Sequence, residues 1–125
     1  MYLSNLLKIL ADETRLRILN LLTKREVCVC LIEEVLEIPQ PNVSKHLNRL
    51  RQHGIISCRR IAQWCFYRIS GNFESQYGDL LAFFTRQWRG NSQCMQDMKK
   101  LEYLLETNDC CKKLLKQAGY NKNEY

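Results

Sequence analysis

Two pairs of cysteines carry the most recognisable chemistry in this sequence. Cys28 and Cys30 are separated by a single valine, whereas Cys110 and Cys111 are adjacent and are followed by two lysines. Thiolate sulfur is the ligand that soft metal ions and metalloids prefer, and nearby cations favour the thiolate form of cysteine. Each pair is therefore a candidate site for a soft ion, and an ordinary packing or surface role is the alternative for each.

A basic stretch follows the first cysteine pair. Residues 40–70 contain six lysines and arginines and no acidic residue, while the whole chain has a formal net charge of +6. Such a stretch indicates a polyanionic partner, either nucleic acid or an anionic membrane. No apolar run approaches the ~20 residues of a membrane span, and no membrane partner is expected. Double-stranded DNA is the expected partner, because the charge agrees with the helix-turn-helix pattern described below. A solvated basic face on an interaction module is the alternative.

Helical periodicity places both features within a series of short helices. Asp12 is a good N-cap for a second helix, and a third helix is predicted to begin near Val27 or Cys28 and to end before Pro39. A fourth helix begins directly afterwards and ends at Gly54. Its predicted core face consists of Val43, Leu47 and Leu50. Two short helices joined by so tight a turn predict a helix-turn-helix.

Two β-prone segments follow, at residues 55–60 and 64–69, and the short connection between them predicts a hairpin. A hairpin directly after a helix-turn-helix is a wing. The predicted fold is therefore mostly α with a β-hairpin wing, a winged helix-turn-helix with C-terminal dimerisation helices. At 125 residues we expect one domain, with the helix-turn-helix at about 28–53, the wing at about 55–69 and the helical extension at about 73–118.

The side chains left outside the core of the fourth helix are the predicted DNA contacts, because base edges are read from a recognition helix in the major groove. His46 has two interpretations, a DNA contact or a hydrogen bond at the helix–helix junction. The wing is expected to lie against phosphates or the minor groove. The full predicted set is Gln40, Asn42, Ser44, Lys45, His46, Asn48 and Arg49 on the helix, with Arg59, Arg60 and Gln63 on the wing.

Four segments, ILADETRLRILNLL, EVCVCLIEEVL, QPNVSKHLNRLRQHGII and WCFYRI, occur in this order within roughly the first 70 residues. Together they resemble the ArsR/SmtB group of winged-helix metalloregulators, and the Cys-Val-Cys sequence resembles its arsenic-responsive branch. The resemblance implies a homodimeric repressor that binds its operator when metal-free and is released when As(III) or Sb(III) binds Cys28 and Cys30. Glu33 stands where that branch often has a third cysteine. Cys110 and Cys111 are candidate third or alternative ligands.

Ligation of one ion by Cys28 and Cys30 has a structural requirement if both lie in a helix. Residues two apart on an ideal helix point roughly 200° apart, so binding would have to unwind the first turn of the third helix. That helix leads into the recognition helix, whose position would then change.

Several other expectations concern function and location. A thiol-based redox repressor without a metal ligand is the alternative function. No enzyme and no organic cofactor are expected, because the sequence lacks a Cys-x-x-Cys motif, a βαβ pattern and a phosphate-binding glycine loop. The N-terminus does not resemble a signal peptide, so a cytoplasmic location and reduced thiols are expected. Cys58 and Cys65 are interpreted as packing residues of the wing, and Cys94 is a weaker candidate ligand.

Overall fold

The computed structural model describes residues 2–107. Within that range six helices accompany three short strands. In chain order they are α1 (Tyr2–Leu10), α2 (Glu13–Leu21), β1 (Val27–Cys28), α3 (Val29–Leu36), α4 (Gln40–Gln52), β2 (Ile56–Ile61), β3 (Trp64–Ile69), α5 (Gly71–Arg89) and α6 (Ser92–Thr107). The mostly helical winged helix-turn-helix predicted from the sequence is confirmed.

The start of α2 follows the predicted capping. Asp12 is extended, and its carboxylate accepts a hydrogen bond from the backbone N–H of Arg15 at 3.0 Å. This bond satisfies one of the N–H groups that a helix leaves open in its first turn. The apolar side of α2 then packs into the core, where Ile18, Leu19 and Leu21 are fully buried.

The predicted start of the third helix at Val27 or Cys28 is wrong. These two residues form β1, which pairs antiparallel with β3, with Val27 opposite Tyr67 and Cys28 opposite Phe66. Cys28 has extended backbone angles (φ −68°, ψ 143°) and is the N-cap of α3, which begins at Val29. The two residues are buried against the wing, so pairing with β3 satisfies backbone groups that a helix would have satisfied locally.

The recognition helix α4 has the predicted core face. Val43, Leu47 and Leu50 are all fully buried, and their spacing puts them on one side of the helix. Gly54 has a left-handed conformation (φ 71°) just after the helix, which glycine adopts without the strain of a Cβ atom.

The wing is a hairpin of β2 and β3 within a sheet of order β1–β3–β2. Its register pairs Ile56 with Ile69 at the base and Ile61 with Trp64 at the tip. Ala62 and Gln63 form the turn, with Ala62 at φ 55°. Ala62 therefore takes the left-handed conformation that tight hairpins require at a central turn position.

Of the last two helices, α6 packs on α2 and α3, and α5 packs against α6. α5 begins at Gly71 and contains non-helical backbone angles at Tyr77. α6 packs against α2 through polar contacts: the Asn20 side chain donates to the Cys94 carbonyl at 3.0 Å, and Arg17 contacts Asp97 through two hydrogen bonds. These bonds fix α6 to the helix that precedes the thiol pair.

Candidate functional site

The exposed face of α4 carries the predicted helix contacts. Among the predicted contacts, Ser44 and His46 are partly buried, and the exposed ones are Gln40, Asn42, Lys45, Asn48 and Arg49. The face contains no acidic residue. Amide and hydroxyl groups can read base edges, and the cations can contact phosphates, so the face has the composition of a DNA-reading surface.

His46 lies at the junction between α4 and α2. Its Nδ1 atom is 3.1 Å from a guanidinium nitrogen of Arg15 and 3.9 Å from a carboxylate oxygen of Asp12. Arg15 also donates from Nε to the Ile9 carbonyl at 2.5 Å. The geometry therefore favours the interpretation of His46 as a residue satisfied at the helix–helix junction.

The wing arginines have different surroundings. Arg59 donates from Nε to both carboxylate oxygens of Glu26, at 2.8 and 3.0 Å. The Glu26 side chain is only 1% exposed, whereas that of Arg59 is 45% exposed. Arg60 and Gln63 are exposed. Arg59 therefore anchors the wing to the segment before β1, and Arg60 and Gln63 point to solvent from the hairpin.

The two sulfurs of the Cys-Val-Cys sequence lie together. The Sγ atoms of Cys28 and Cys30 are 3.0 Å apart, with Cys28 buried and Cys30 partly exposed. The expectation that they point to opposite sides of a helix is wrong, because Cys28 precedes the helix and has extended geometry. Both sulfurs could therefore hold one ion without unwinding α3.

A third ligand for such an ion is not supplied within residues 2–107, where no group of three histidine, cysteine or acidic side chains could hold a metal. Glu33 is close enough to affect Cys30: burial raises the pKa of its carboxyl, and the charge of Cys30 raises it further. Cys110 and Cys111 lie outside the described residues. Within residues 2–107 the candidate soft-ion site therefore consists of the two sulfurs of Cys28 and Cys30.

The other described thiols are two wing cysteines and one helical cysteine. Cys58 and Cys65 are partly buried and pack at the edge of the core, as predicted. Cys94 is buried in α6, and burial raises the pKa of its thiol, with the charge of Asp97 as a further cause. A raised pKa opposes thiolate formation, which weakens Cys94 as a ligand candidate.

Sequence reasoning missed two residues that position the site. Glu26 holds Arg59 of the wing, and Arg15 holds His46 of the recognition helix. Each contact joins residues more than thirty positions apart, and no local pattern marks either partner. The only signal available was a lone acidic residue next to the apolar start of β1.

Comparison with known proteins gives consistent matches. A family profile described as "Bacterial regulatory protein, arsR family" matches residues 12–57. The arsenic resistance transcriptional regulator ArsR2 of Pseudomonas putida is 36% identical over 91 residues, covering 72% of this chain and 76% of that protein. Two other curated arsenic resistance regulators match more narrowly, so that the chain spans only 49% and 56% of their lengths.

Solved structures of winged-helix regulators match as well. The homodimeric winged helix-turn-helix DNA-binding domain of a possible ArsR-family regulator from Mycobacterium bovis superposes with a TM-score of 0.59 and 27% identity, covering 69% of this chain and 80% of that one. Reduced HlyU from Vibrio cholerae superposes with a TM-score of 0.53 and 27% identity, covering 86% and 88%. The family profile and the Pseudomonas putida relative agree with the winged-helix fold, and the chain belongs to the ArsR family of bacterial regulatory proteins.

Proposed function

We propose that this protein is a homodimeric transcriptional repressor that binds double-stranded operator DNA and is released when As(III), Sb(III) or a similar soft metal binds the thiolates of Cys28 and Cys30. The family membership supports regulation of transcription, and the arsenic resistance relatives support the inducer. The inducer is the ligand that the regulator senses, and no organic cofactor is required.

One observation carries the proposal: Cys28 belongs to both parts of the DNA-binding unit. As the N-cap of α3 it begins the helix that leads into α4, and as the end of β1 it pairs with Phe66 of the wing. Its sulfur is in contact with that of Cys30. An ion that draws the two sulfurs into its own geometry therefore displaces a residue connected to the recognition helix and to the wing.

The exposed residues of α4 and the wing are assigned complementary roles. Gln40, Asn42 and Asn48 carry amides suited to adenine, and Lys45 suits guanine. Arg49 and Arg60 suit phosphates, which supply most of the salt-dependent affinity. Arg59 contributes mainly by holding the hairpin in place through Glu26.

Dimerisation is supported by an apolar surface on α1 and α5. Tyr2, Leu3, Leu7 and Phe83 have exposed fractions of 61%, 54%, 51% and 47%. The ring of Tyr2 stacks on that of Tyr77 with centroids 6.5 Å apart, so α1 and α5 contribute to one surface. A two-fold dimer would present two recognition helices to successive half-sites of DNA, about one helical turn apart.

The test is a gel-shift titration with arsenite and antimonite under reducing conditions. The probe is a duplex selected from a random library by the metal-free protein. Wild-type protein should lose affinity about a hundredfold, a coupling of about 2.7 kcal/mol. The Cys28→Ser/Cys30→Ser variant should bind the same duplex with an affinity that neither ion changes. The matched Cys58→Ser/Cys65→Ser variant should lose affinity as wild type does. An unchanged arsenite response in the Cys28→Ser/Cys30→Ser variant contradicts the proposal.

A redox repressor is the second candidate, favoured by the 3.0 Å contact between the two sulfurs. Hydrogen peroxide would convert the two thiols to a disulfide with release of two water molecules. The same gel-shift assay separates the candidates: release by peroxide with no arsenite response indicates the redox repressor. Release by arsenite under reducing conditions indicates the metalloregulator.

A further inference from the structure

The wing carries a second pair of thiols. In the β2–β3 register Cys58 lies opposite Tyr67, and Cys65 lies opposite Arg60. Residues directly opposite each other share a face of the sheet, and residues two apart on one strand share it as well. Cys58 and Cys65 are therefore diagonal neighbours on one face of the hairpin. Both are partly exposed.

This pair is separate from the Cys-Val-Cys pair. Cys28 lies opposite Phe66, and Phe66 and Cys65 are consecutive on β3, so they point to opposite faces of the sheet. The two dithiols therefore lie on different sides of the wing.

The surroundings of the wing pair are polar on one side. The charged side chain of Arg51, at the end of α4, lies near Cys58, and Tyr67 lies opposite Cys58 on β3. Burial and the neighbouring Cys65 raise the pKa of Cys58, which the Arg51 charge partly offsets.

The register also argues against a direct disulfide. Diagonal residues on neighbouring strands have Cα atoms about 7–8 Å apart, whereas disulfides usually join Cα atoms about 4.4–6.8 Å apart. An arsenic atom bonded to both sulfurs removes this conflict, because two sulfurs that share a bridging atom lie further apart than the two sulfurs of a disulfide.

We propose that Cys58 and Cys65 form a bidentate site on the wing for a trivalent arsenical that carries one organic substituent. Two As–O bonds of the hydrated arsenical break and two As–S bonds form, and the thiol protons leave with the hydroxides as two water molecules. No electron is transferred. Two sulfurs match the two exchangeable positions of such a compound, and its third position keeps the carbon substituent.

The binding test uses phenylarsine oxide and a full-length variant in which the wing pair supplies the only cysteines. Intact-mass analysis should find one phenylarsine group per chain, retained in excess glutathione and removed by dithiothreitol. Matched variants that also carry Cys58→Ser or Cys65→Ser should lose the group to glutathione, because a single As–S bond exchanges with monothiols. The parent variant is Cys28→Ala, Cys30→Ala, Cys94→Ala, Cys110→Ser and Cys111→Ser.

A second measurement uses the wild-type chain, so that the test does not depend on the folding of the variant with five substitutions. Phenylarsine oxide should slow alkylation of Cys58 and Cys65 together, by about tenfold at ten times its dissociation constant, as read by peptide mapping. Alkylation of either wing thiol at an unchanged rate overturns the proposal. Rapid formation of a Cys58–Cys65 disulfide by peroxide overturns the geometric reasoning behind it. Neither result depends on whether arsenite acts through Cys28 and Cys30.

Discussion

Replacing Arg59 by glutamine should destabilise the protein through the carboxylate that it leaves behind. Glu26 is 1% exposed and accepts two hydrogen bonds from Arg59. Removing one partner of a buried ion pair typically costs about 3–5 kcal/mol, because the remaining charge is buried without compensation. The Arg59 side chain is 45% exposed, and exposed pairs contribute only about 0–1 kcal/mol. We therefore expect Arg59→Gln to lower the free energy of unfolding by about 2 kcal/mol.

Arg60→Gln is the matched control. Arg60 is the next residue of β2, has the same charge and is exposed on the opposite face of the strand. Its replacement should change the free energy of unfolding by less than about 0.5 kcal/mol, as is usual at surface positions. It should instead reduce the salt dependence of operator binding by about one unit of slope, as expected for one lost phosphate contact.

The assay is urea unfolding of the single variants and of the Glu26→Gln/Arg59→Gln double variant. The double variant should be more stable than Arg59→Gln alone, because it leaves no buried carboxylate without its arginine partner. If Arg59→Gln is as mild as Arg60→Gln, or if the double variant is the less stable one, the anchoring role of Glu26 is refuted.

Two further predictions concern buried polar groups away from α4. Asp97→Asn should lower the free energy of unfolding by about 2 kcal/mol, because Asp97 is 3% exposed and accepts two hydrogen bonds from Arg17, at 2.8 and 3.0 Å. Urea unfolding measures this loss, and Asp79→Asn at an exposed position is the control. An effect of Asp97→Asn no larger than that of the control would contradict the prediction. Burial, with a contribution from Cys58, raises the pKa of Tyr67 from 10 to about 12, so the folded state favours the neutral phenol and loses stability as the pH rises through this range. The loss should be about 2–3 kcal/mol in denaturant unfolding between pH 10 and pH 12, and equal losses in wild type and Tyr67→Phe would show that another group titrates.

Local patterns were sufficient for the recognition helix and the wing. The spacing of Val43, Leu47 and Leu50 follows the helical period whatever surrounds the helix, and all three are buried. The alternation of β2 and β3 is equally local, and the Asp12 cap needs only the three residues that follow it. These features could be predicted because their causes lie within a few residues of sequence.

Contacts between distant residues could not be predicted in this way. The pattern Val27, Leu31 and Val35 fits a helical period, so the sequence favoured a helix that included Cys28. In the structure the helix begins only at Val29, because β3, some forty residues later, offers Val27 and Cys28 a pairing partner. The Glu26–Arg59 pair likewise depends on residues that are distant in sequence, because the two side chains meet only when the wing folds back.

The position of β1 changes what a bound ion must do. If both cysteines lay in α3, binding one ion through both sulfurs would break helical hydrogen bonds. In the structure the two sulfurs already lie 3.0 Å apart at the junction of β1 and α3, so binding does not require α3 to unwind. A hundredfold loss of operator affinity needs about 2.7 kcal/mol of coupling. Each backbone hydrogen bond contributes about 0.5–1.5 kcal/mol, so loosening the short β1–β3 pairing is an effect of the required size. The proposed sensor therefore needs to shift one strand end, which would reorient the wing and α3 together.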